Sequence, residues 1–314
     1  MNSSTIQPSQ FQGNMKAKPL FMQEETQPTR RMDTYQLIPV KSRKRIKKSR
    51  KKTLAILGLV LIYFVAPLRT NILFLGTDAS LERGTAGRTD TIILSTVVPL
   101  RPYIGMLSFP RDLWVQVPGV GDQRINTAYF FSEANRSGSG ADAAMETIRE
   151  NFDVPVRYYV VIHMSGLVSV IDALEGVTIK LDGPVSGLGA GAHLLNGNQA
   201  LAFARDRSTS DDFGRMLRAQ ILISGTIGKV LTPGSWRNLP GFIVALSQTI
   251  ETNLPIWQIP RLLFALVRVP FFGGINSETI SREMVTPFVT SEGAQVLLPN
   301  WDDIQPQMRE MFGR

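Results

Sequence analysis

The chemistry this sequence can do is concentrated in a few aspartates and arginines. Asp78 and Asp90 bracket a glycine-containing stretch, and Arg88 stands two residues before the second of them. Arg111-Asp112 repeats the pairing further on, after Phe109-Pro110. Carboxylates offer oxygen ligands to a divalent cation, and a guanidinium offers a planar fork to a phosphate. The plain alternative is an Asp/Gly-rich loop carrying a surface Arg88–Asp90 pair. Later, Arg205, Arg207, Arg215 and Arg218 place four guanidinium groups within about 14 residues, with Asp212 among them. A solvated helix face with internal ion pairs also has this spacing. Against that, so many cations repel one another unless an anion or carboxylates lie between them. A helix that starts beside them adds free N–H groups for an anion.

These residues need rigid elements behind them. Asn71–Leu75, Thr91–Val98 and Tyr103–Phe109 are short apolar runs that read as buried strands, so the first two acidic positions fall in a loop between strand ends. Arg111-Asp112 falls at another strand end. Ala141–Phe152 has apolar residues at helical spacing, Arg157–Ile162 reads as a strand, Ser165–Leu174 as a helix closed by Gly176, and Val177–Leu181 as a strand. Gly187–Gly191 reads as a flexible loop with no clear strand before it or helix after it. Asn196–Ala204 reads as a short helix, and a longer one begins after the Ser208–Asp212 cap and runs to about Val230. Two apolar helices follow, around Gly241–Thr252 and Ile256–Val267, either as core or as one wall of a hydrocarbon pocket. Glu283–Ser291 reads as a final strand, before a short C-terminal helix. Strands alternating with helices predict an α/β fold: a mixed central β-sheet covered by helices on both faces, an α-β-α sandwich.

Charge is unevenly spread along the 314 residues. The net value of +8 suggests nucleic acid, but Lys41–Lys52 alone holds nine basic residues and no acid. From residue 53 onward there are 21 basic and 23 acidic residues, so the body of the chain has no basic excess and a nucleic-acid partner is not expected. Residues 1–40 are rich in Gln, Ser, Thr, Met and Pro and read as disordered. The basic block leads into Thr53–Leu68, an uncharged apolar run of 16 residues. It lies too far from the start for a signal peptide and carries too many flanking cations for a buried helix. The expected organisation is a basic cytoplasmic tail over 1–52, a transmembrane anchor over 53–68, an extracytoplasmic core over 69–235, and helices and a strand over 236–314 that complete the same domain. The positive-inside rule puts the N-terminus in the cytoplasm and the rest outside. With only Arg69 and Thr70 before the first strand, the domain would sit against the membrane lipid. The absence of cysteine fits an exported domain without disulfides.

Six short motifs stand in one order: Gly-Thr-Asp78, Gly-Arg88-Thr-Asp90, Phe-Pro-Arg111-Asp112, Arg124-Ile-Asn126-Thr-Ala-Tyr129, Ala-Arg205-Asp-Arg207 and Asp212-Phe-Gly-Arg215-Met-Leu-Arg218. Over about residues 70–231 the set resembles the LytR-CpsA-Psr family of cell-wall polymer ligases. The resemblance implies transfer of an anionic glycopolymer from undecaprenyl-pyrophosphate to peptidoglycan through a phosphodiester bond. It implies that Asp78 and Asp90 hold Mg²⁺ (or Mn²⁺), and that Arg88, Arg111, Arg205 and Arg207, with Arg215 and Arg218, bind the pyrophosphate. Asp90, Arg111 and Asp212 are then the catalytic candidates, with Asp90 and Asp212 open as the base. Two positions depart from the family pattern: Ser80 where Arg is frequent, and Ala219 where Gln is frequent, with Gln220 beside it. His163 and His193 match no motif and read as structural. Competing readings are a hydrolase acting on the same lipid-linked pyrophosphate and a non-catalytic binder or regulator of envelope assembly.

Overall fold

The computed structural model describes residues 50–65, 69–77, 87–100, 103–206 and 212–313. The expected disordered segment, Asp78, Ser80 and Arg207 lie outside these residues, as does the side chain of Asp212. Helix α1 (Arg50–Val65) covers most of the apolar run after the basic block. Residues 66–68 of that run are outside the described set, and among the described residues no helix is long and apolar enough to cross a membrane.

Strands β1 (Thr70–Thr77), β2 (Thr89–Val98) and β3 (Tyr103–Phe109) form the centre, followed by the hairpin β4 (Trp114–Val117) and β5 (Gly121–Arg124). Helices α2 (Thr127–Asn135) and α3 (Gly140–Phe152) lead to β6 (Tyr158–His163), α4 (Met164–Ala173) and a second hairpin, β7 (Val177–Leu181) and β8 (Gly191–Leu195). Next come α5 (Gly197–Arg205), α6 (Asp212–Leu231), α7 (Leu239–Thr249), β9 (Ile250–Thr252), α8 (Ile259–Phe272) and β10 (Gly274–Thr279). The chain closes with the hairpin β11 (Val285–Val289) and β12 (Gln295–Pro299), then α9 (Trp301–Phe312).

Six strands share one sheet in the order β10-β3-β2-β1-β6-β9. It is mixed, with β1 parallel to β6, β3 parallel to β10 and the other pairs antiparallel. Side chains alternate between its faces. Leu73, Leu75, Ile92, Leu94, Leu107 and Phe109 pack with residues of α3 and α9 on one side. Ile93, Val97, Ile104 and Met106 pack under Ala265 and Val269 of α8 on the other. The expected mixed sheet between helical layers is therefore present.

Several local expectations are corrected. Glu283–Ser291 does not hold the last strand: β12 follows β11 and pairs with it. The stretch after Gly187–Gly191 is strand β8, paired with β7, and β7 belongs to this hairpin and not to the central sheet. The apolar region expected as one helix over Gly241–Thr252 ends its helix at Thr249 and turns into edge strand β9. Strand β10 was not expected at all. Its sequence, Gly-Ile-Asn-Ser-Glu-Thr, carries one large apolar residue, as suits a sheet edge with little to bury.

Candidate active site

The register of the central sheet builds the site. Along β1 and β2, Gly76 faces Thr91 but Thr77 faces Thr89, so Asp90 is the extra residue of a β-bulge. A bulge leaves one residue out of the ladder and re-aims its side chain. Gly76 accommodates it closely: a Cβ there would stand 3.0 Å from the Thr91 Cβ. On the other side, β2 pairs with β3 through Ile92 and Phe109, so continuing the same antiparallel register by two residues sets Asp90 opposite Arg111. The two form an ion pair of 2.7 Å between Arg111 Nη1 and Asp90 Oδ1.

Asp112 holds the same guanidinium from its other edge, at 3.5 Å from Nε, and is itself 3.3 Å from Arg124 Nε. The Arg124-Ile-Asn126 segment braces this turn through its backbone. Ile125 N donates to the Leu113 carbonyl at 2.8 Å and Asn126 N to the Arg111 carbonyl at 3.3 Å. Arg124 also donates to the Gln295 carbonyl at 2.8 Å, tying the turn to β12. The motif around Arg124 is thus a brace behind Arg111.

Helix α6 brings Arg215 to the same place, its Nη1 3.9 Å from Asp90 Oδ1. Arg205, the last residue of α5, completes the cluster. Asp90, Thr91, Met164, Ala204, Arg205, Arg215 and Ala219 line a cavity of about 280 Å³. Of the residues expected from the sequence, Asp90, Arg205 and Arg215 meet on this cavity, and Arg111 reaches it through Asp90. Met164, Ala204 and Thr91 were not expected there, and only the adjacency of Thr91 to Asp90 and of Ala204 to Arg205 hints at two of them.

Two expected arginines are placed differently. Arg88 is exposed, with its guanidinium carbon 5.7 Å from the centre of the Phe130 ring, a cation–π distance. Arg218 is 1% exposed and donates from Nη2 to the Asp206 carbonyl, linking the end of α5 to α6. Burial pushes its pKa below the usual arginine range, opposed by Asp206 and reinforced by Arg215. In this position Arg218 orients the two helices that carry Arg205 and Arg215. Asp212 opens α6, one turn before Arg215.

Ala219 and Gln220 point to different tasks. Ala219 lines the cavity, whereas Gln220 is 3% exposed and donates from Nε2 to Ser108 Oγ at 2.9 Å and to the Glu278 carbonyl. Gln220 therefore clamps β3 to β10 beneath α6 and does not stand in for a glutamine at 219. Gln220→Ala should lower stability by about 1–3 kcal/mol, because Ser108 and the Glu278 carbonyl lose a buried partner. Urea denaturation followed by circular dichroism reads this directly; an unchanged midpoint would mean that water replaces the amide.

His163, 3% exposed at the end of β6, pairs its Nε2 with Glu251 Oε1 on β9 at 2.9 Å. His193 Nε2 meets the Gly189 carbonyl at 2.7 Å within its own hairpin. Neither lines the arginine-bearing cavity, as expected for structural histidines. Among the described residues no group of three or more His, Asp or Glu side chains could hold a metal ion. A magnesium ion asks for less than that: one or two carboxylates, with phosphate oxygens and water completing its shell. The Asp90 carboxylate at the cavity is a donor of that kind, with its Oδ1 shared by Arg111 and Arg215.

A family model described as the LytR_cpsA_psr family matches residues 39–294. The chain belongs to this family. A relative in Enterococcus faecalis, named polyisoprenyl-teichoic acid–peptidoglycan teichoic acid transferase TagU, is 33% identical over 218 residues, covering 67% of this chain and 69% of its own length. Biofilm regulatory protein A of Streptococcus mutans is 31% identical over 219 residues, 62% of this chain and 52% of that protein. The chain spans between 60% and 69% of the length of the first TagU relatives it matches. Among solved structures, TagV of B. subtilis superposes with a TM-score of 0.62 at 24% identity, over 78% of this chain and 98% of that one. A structure described as TagT bound to LIIa-WTA gives 0.62 at 22% identity, over 78% and 91%. At that identity the likeness is one of fold. It agrees with the LytR_cpsA_psr assignment.

Proposed function

We propose that this LytR_cpsA_psr protein is a membrane-anchored phosphotransferase. It moves an anionic glycopolymer from a polyprenyl-pyrophosphate carrier to peptidoglycan, with residues 53–68 as its anchor, the N-terminus cytoplasmic and the domain outside. The observation that carries the reading is the Asp90–Arg111–Arg215 cluster, held by a bulge and a strand register around a cavity that Arg205 also lines. The TagU relatives' names supply the polymer class and the acceptor. An arginine cluster of this density fits a pyrophosphate better than any neutral ligand.

Phosphoryl transfer depends on alignment and charge neutralisation more than on covalent help from the protein. Arg205 and Arg215 bind the non-bridging phosphate oxygens. Arg111, fixed between Asp90 and Asp112, is aimed by two carboxylates and so needs little reorganisation when charge grows on the reacting phosphate. The acceptor sugar hydroxyl attacks the phosphorus that carries the glycopolymer. A new P–O bond forms, the P–O–P anhydride bond breaks, and polyprenyl phosphate leaves with the bond's electron pair. Asp90 or Asp212 takes the hydroxyl proton. Asp90, with Asp78, would hold Mg²⁺, which supplies further neutralisation of the pyrophosphate when bound.

The test uses the full chain in lipid nanodiscs with a polyprenyl-pyrophosphate oligosaccharide, peptidoglycan fragments and Mg²⁺, with products read by mass spectrometry. A glycan–phosphate–peptidoglycan product is expected. It should disappear with EDTA and return with Mg²⁺ or Mn²⁺. Release of free phosphorylated glycan without ligation would replace the ligase by a hydrolase, because water competes for the same phosphorus. Tight lipid retention without turnover would replace it by a binder.

A further inference from the structure

A second arginine-lined cavity lies at the opposite end of β1 from Asp90. Its volume is about 540 Å³, and Arg69, Arg157, Arg261 and Arg309 stand around it with Asp153. Topology gathers these residues. Arg69 directly precedes β1 and Arg157 directly precedes β6, and the two strands run parallel, so both residues fall at the same end of the strands. Arg309 comes from α9, and Arg261 from the first turn of α8. Arg261 is only 5% exposed, and Arg69 is tethered by donation from Nη1 to the Met311 carbonyl at 2.8 Å. Four arginines and one aspartate are therefore among the described residues that line it.

Gln258 and Arg261 on the cavity wall lie between Trp257 and Phe264, both of which α1 contacts. Tyr63 of α1 donates from its hydroxyl to the Trp257 carbonyl, and the Phe64 ring meets Phe264 of α8 edge-on at 5.2 Å. Three residues separate the end of α1 from Arg69. Beside this junction Ile256 and Trp257 are 78% and 66% exposed, an apolar and an aromatic side chain where a membrane–water boundary would accommodate both.

We infer that this cavity binds the phosphate of an anionic phospholipid headgroup and so fixes the orientation of the domain on the membrane. The charge sets the ligand class, since the described lining carries four arginines and one carboxylate, and a guanidinium suits phosphate oxygens. The position sets the source, because Gln258 on its wall directly follows Trp257, which α1 contacts, and three residues separate Arg69 from α1. The inference rests on the membrane reading of residues 53–68 and not on the transfer reaction.

Native mass spectrometry of the full chain in detergent tests it, with phosphatidylglycerol, phosphatidylcholine or inorganic phosphate added. Retention of one phosphatidylglycerol, favoured over phosphatidylcholine by about tenfold or more, is expected, since each charge-assisted pair is worth that order. The preference should vanish in Arg157→Gln/Arg309→Gln, whose altered side chains are exposed and leave folding intact, and in Arg261→Gln. It should survive Arg111→Ala. Equal retention of both lipids overturns the inference. Loss of preference in Arg111→Ala but not in the other variants assigns the lipid to the Asp90 cavity and overturns it too. Inorganic phosphate displacing the lipid at micromolar concentration would show a free-anion site instead. Membrane partitioning of the full chain into vesicles, measured separately, reports on the anchor alone, so its failure is distinguishable from a failure of headgroup selection.

Discussion

Arg111→Ala should reduce kcat/KM for glycopolymer transfer by about 10²–10³-fold, the usual cost of removing one preorganised donor from a site of developing charge. Arg111 is not a freely moving surface cation. Asp90 grips it at 2.7 Å and Asp112 at 3.5 Å, and the Arg124–Asn126 brace holds the turn behind it. Its removal also frees Asp90 to pair more closely with Arg215, now 3.9 Å away, which withdraws a second cation from the phosphate. Arg111→Lys should recover only part of the loss, because an ammonium cannot span two carboxylates and a phosphate with one planar fork. Asp90→Asn combined with Arg111→Ala should be far from additive, since both changes disable the same pair. Steady-state transfer assays on the single and double variants decide this. A change of less than about threefold for Arg111→Ala, with native circular dichroism, would remove Arg111 from the catalytic reading.

Phe109→Ala should lower the stability of the domain by about 3–5 kcal/mol. Phe109 is 1% exposed at the end of β3, and its ring meets Phe152 of α3 at 4.7 Å between centroids. Phe152 in turn meets Trp301 at 5.4 Å, so one aromatic chain joins the sheet, α3 and the start of α9. Truncation would open a cavity in the middle of that chain, which a close-packed interior fills poorly. The effect should reach the site as well. Phe109 pairs with Ile92 and is followed by Pro110 and Arg111, so it anchors the register that sets Arg111 against Asp90. Chemical denaturation gives the stability. Transfer assays well below the denaturation midpoint should still show a weakened site, and full activity there would mean that the register survives without the ring.

What the sequence by itself determined is substantial and local. The apolar runs that became β1, β2 and β3 announce themselves by length and composition, α3 by its periodicity and α6 by the cap residues before it. The alternation of strands and helices predicts the mixed sheet between helical layers. The six ordered motifs carry the family, because each preserves residue types within a few positions of one another. Less legible were the short or polar edge elements: β9 continues the apolar pattern of α7, and β10 has almost nothing to bury, so neither leaves a periodic signal. Asp78 and Arg207 fall outside the described residues.

Only the tertiary structure decided which arginines stand together and what each one does. Three arginines close in sequence divide: Arg205 and Arg215 line the cavity, while Arg218 turns inward to hold α5 against α6. Arg88 lies on the Phe130 ring although it is two residues from Asp90. Asp90 and Arg111, far apart in the chain, meet because a bulge at Gly76 and the pairing of Ile92 with Phe109 place them opposite each other. The physical reason is the two-residue period of a strand. A one-residue shift in register turns a side chain to the other face of the sheet, so contact across strands depends on a pairing that local composition does not encode.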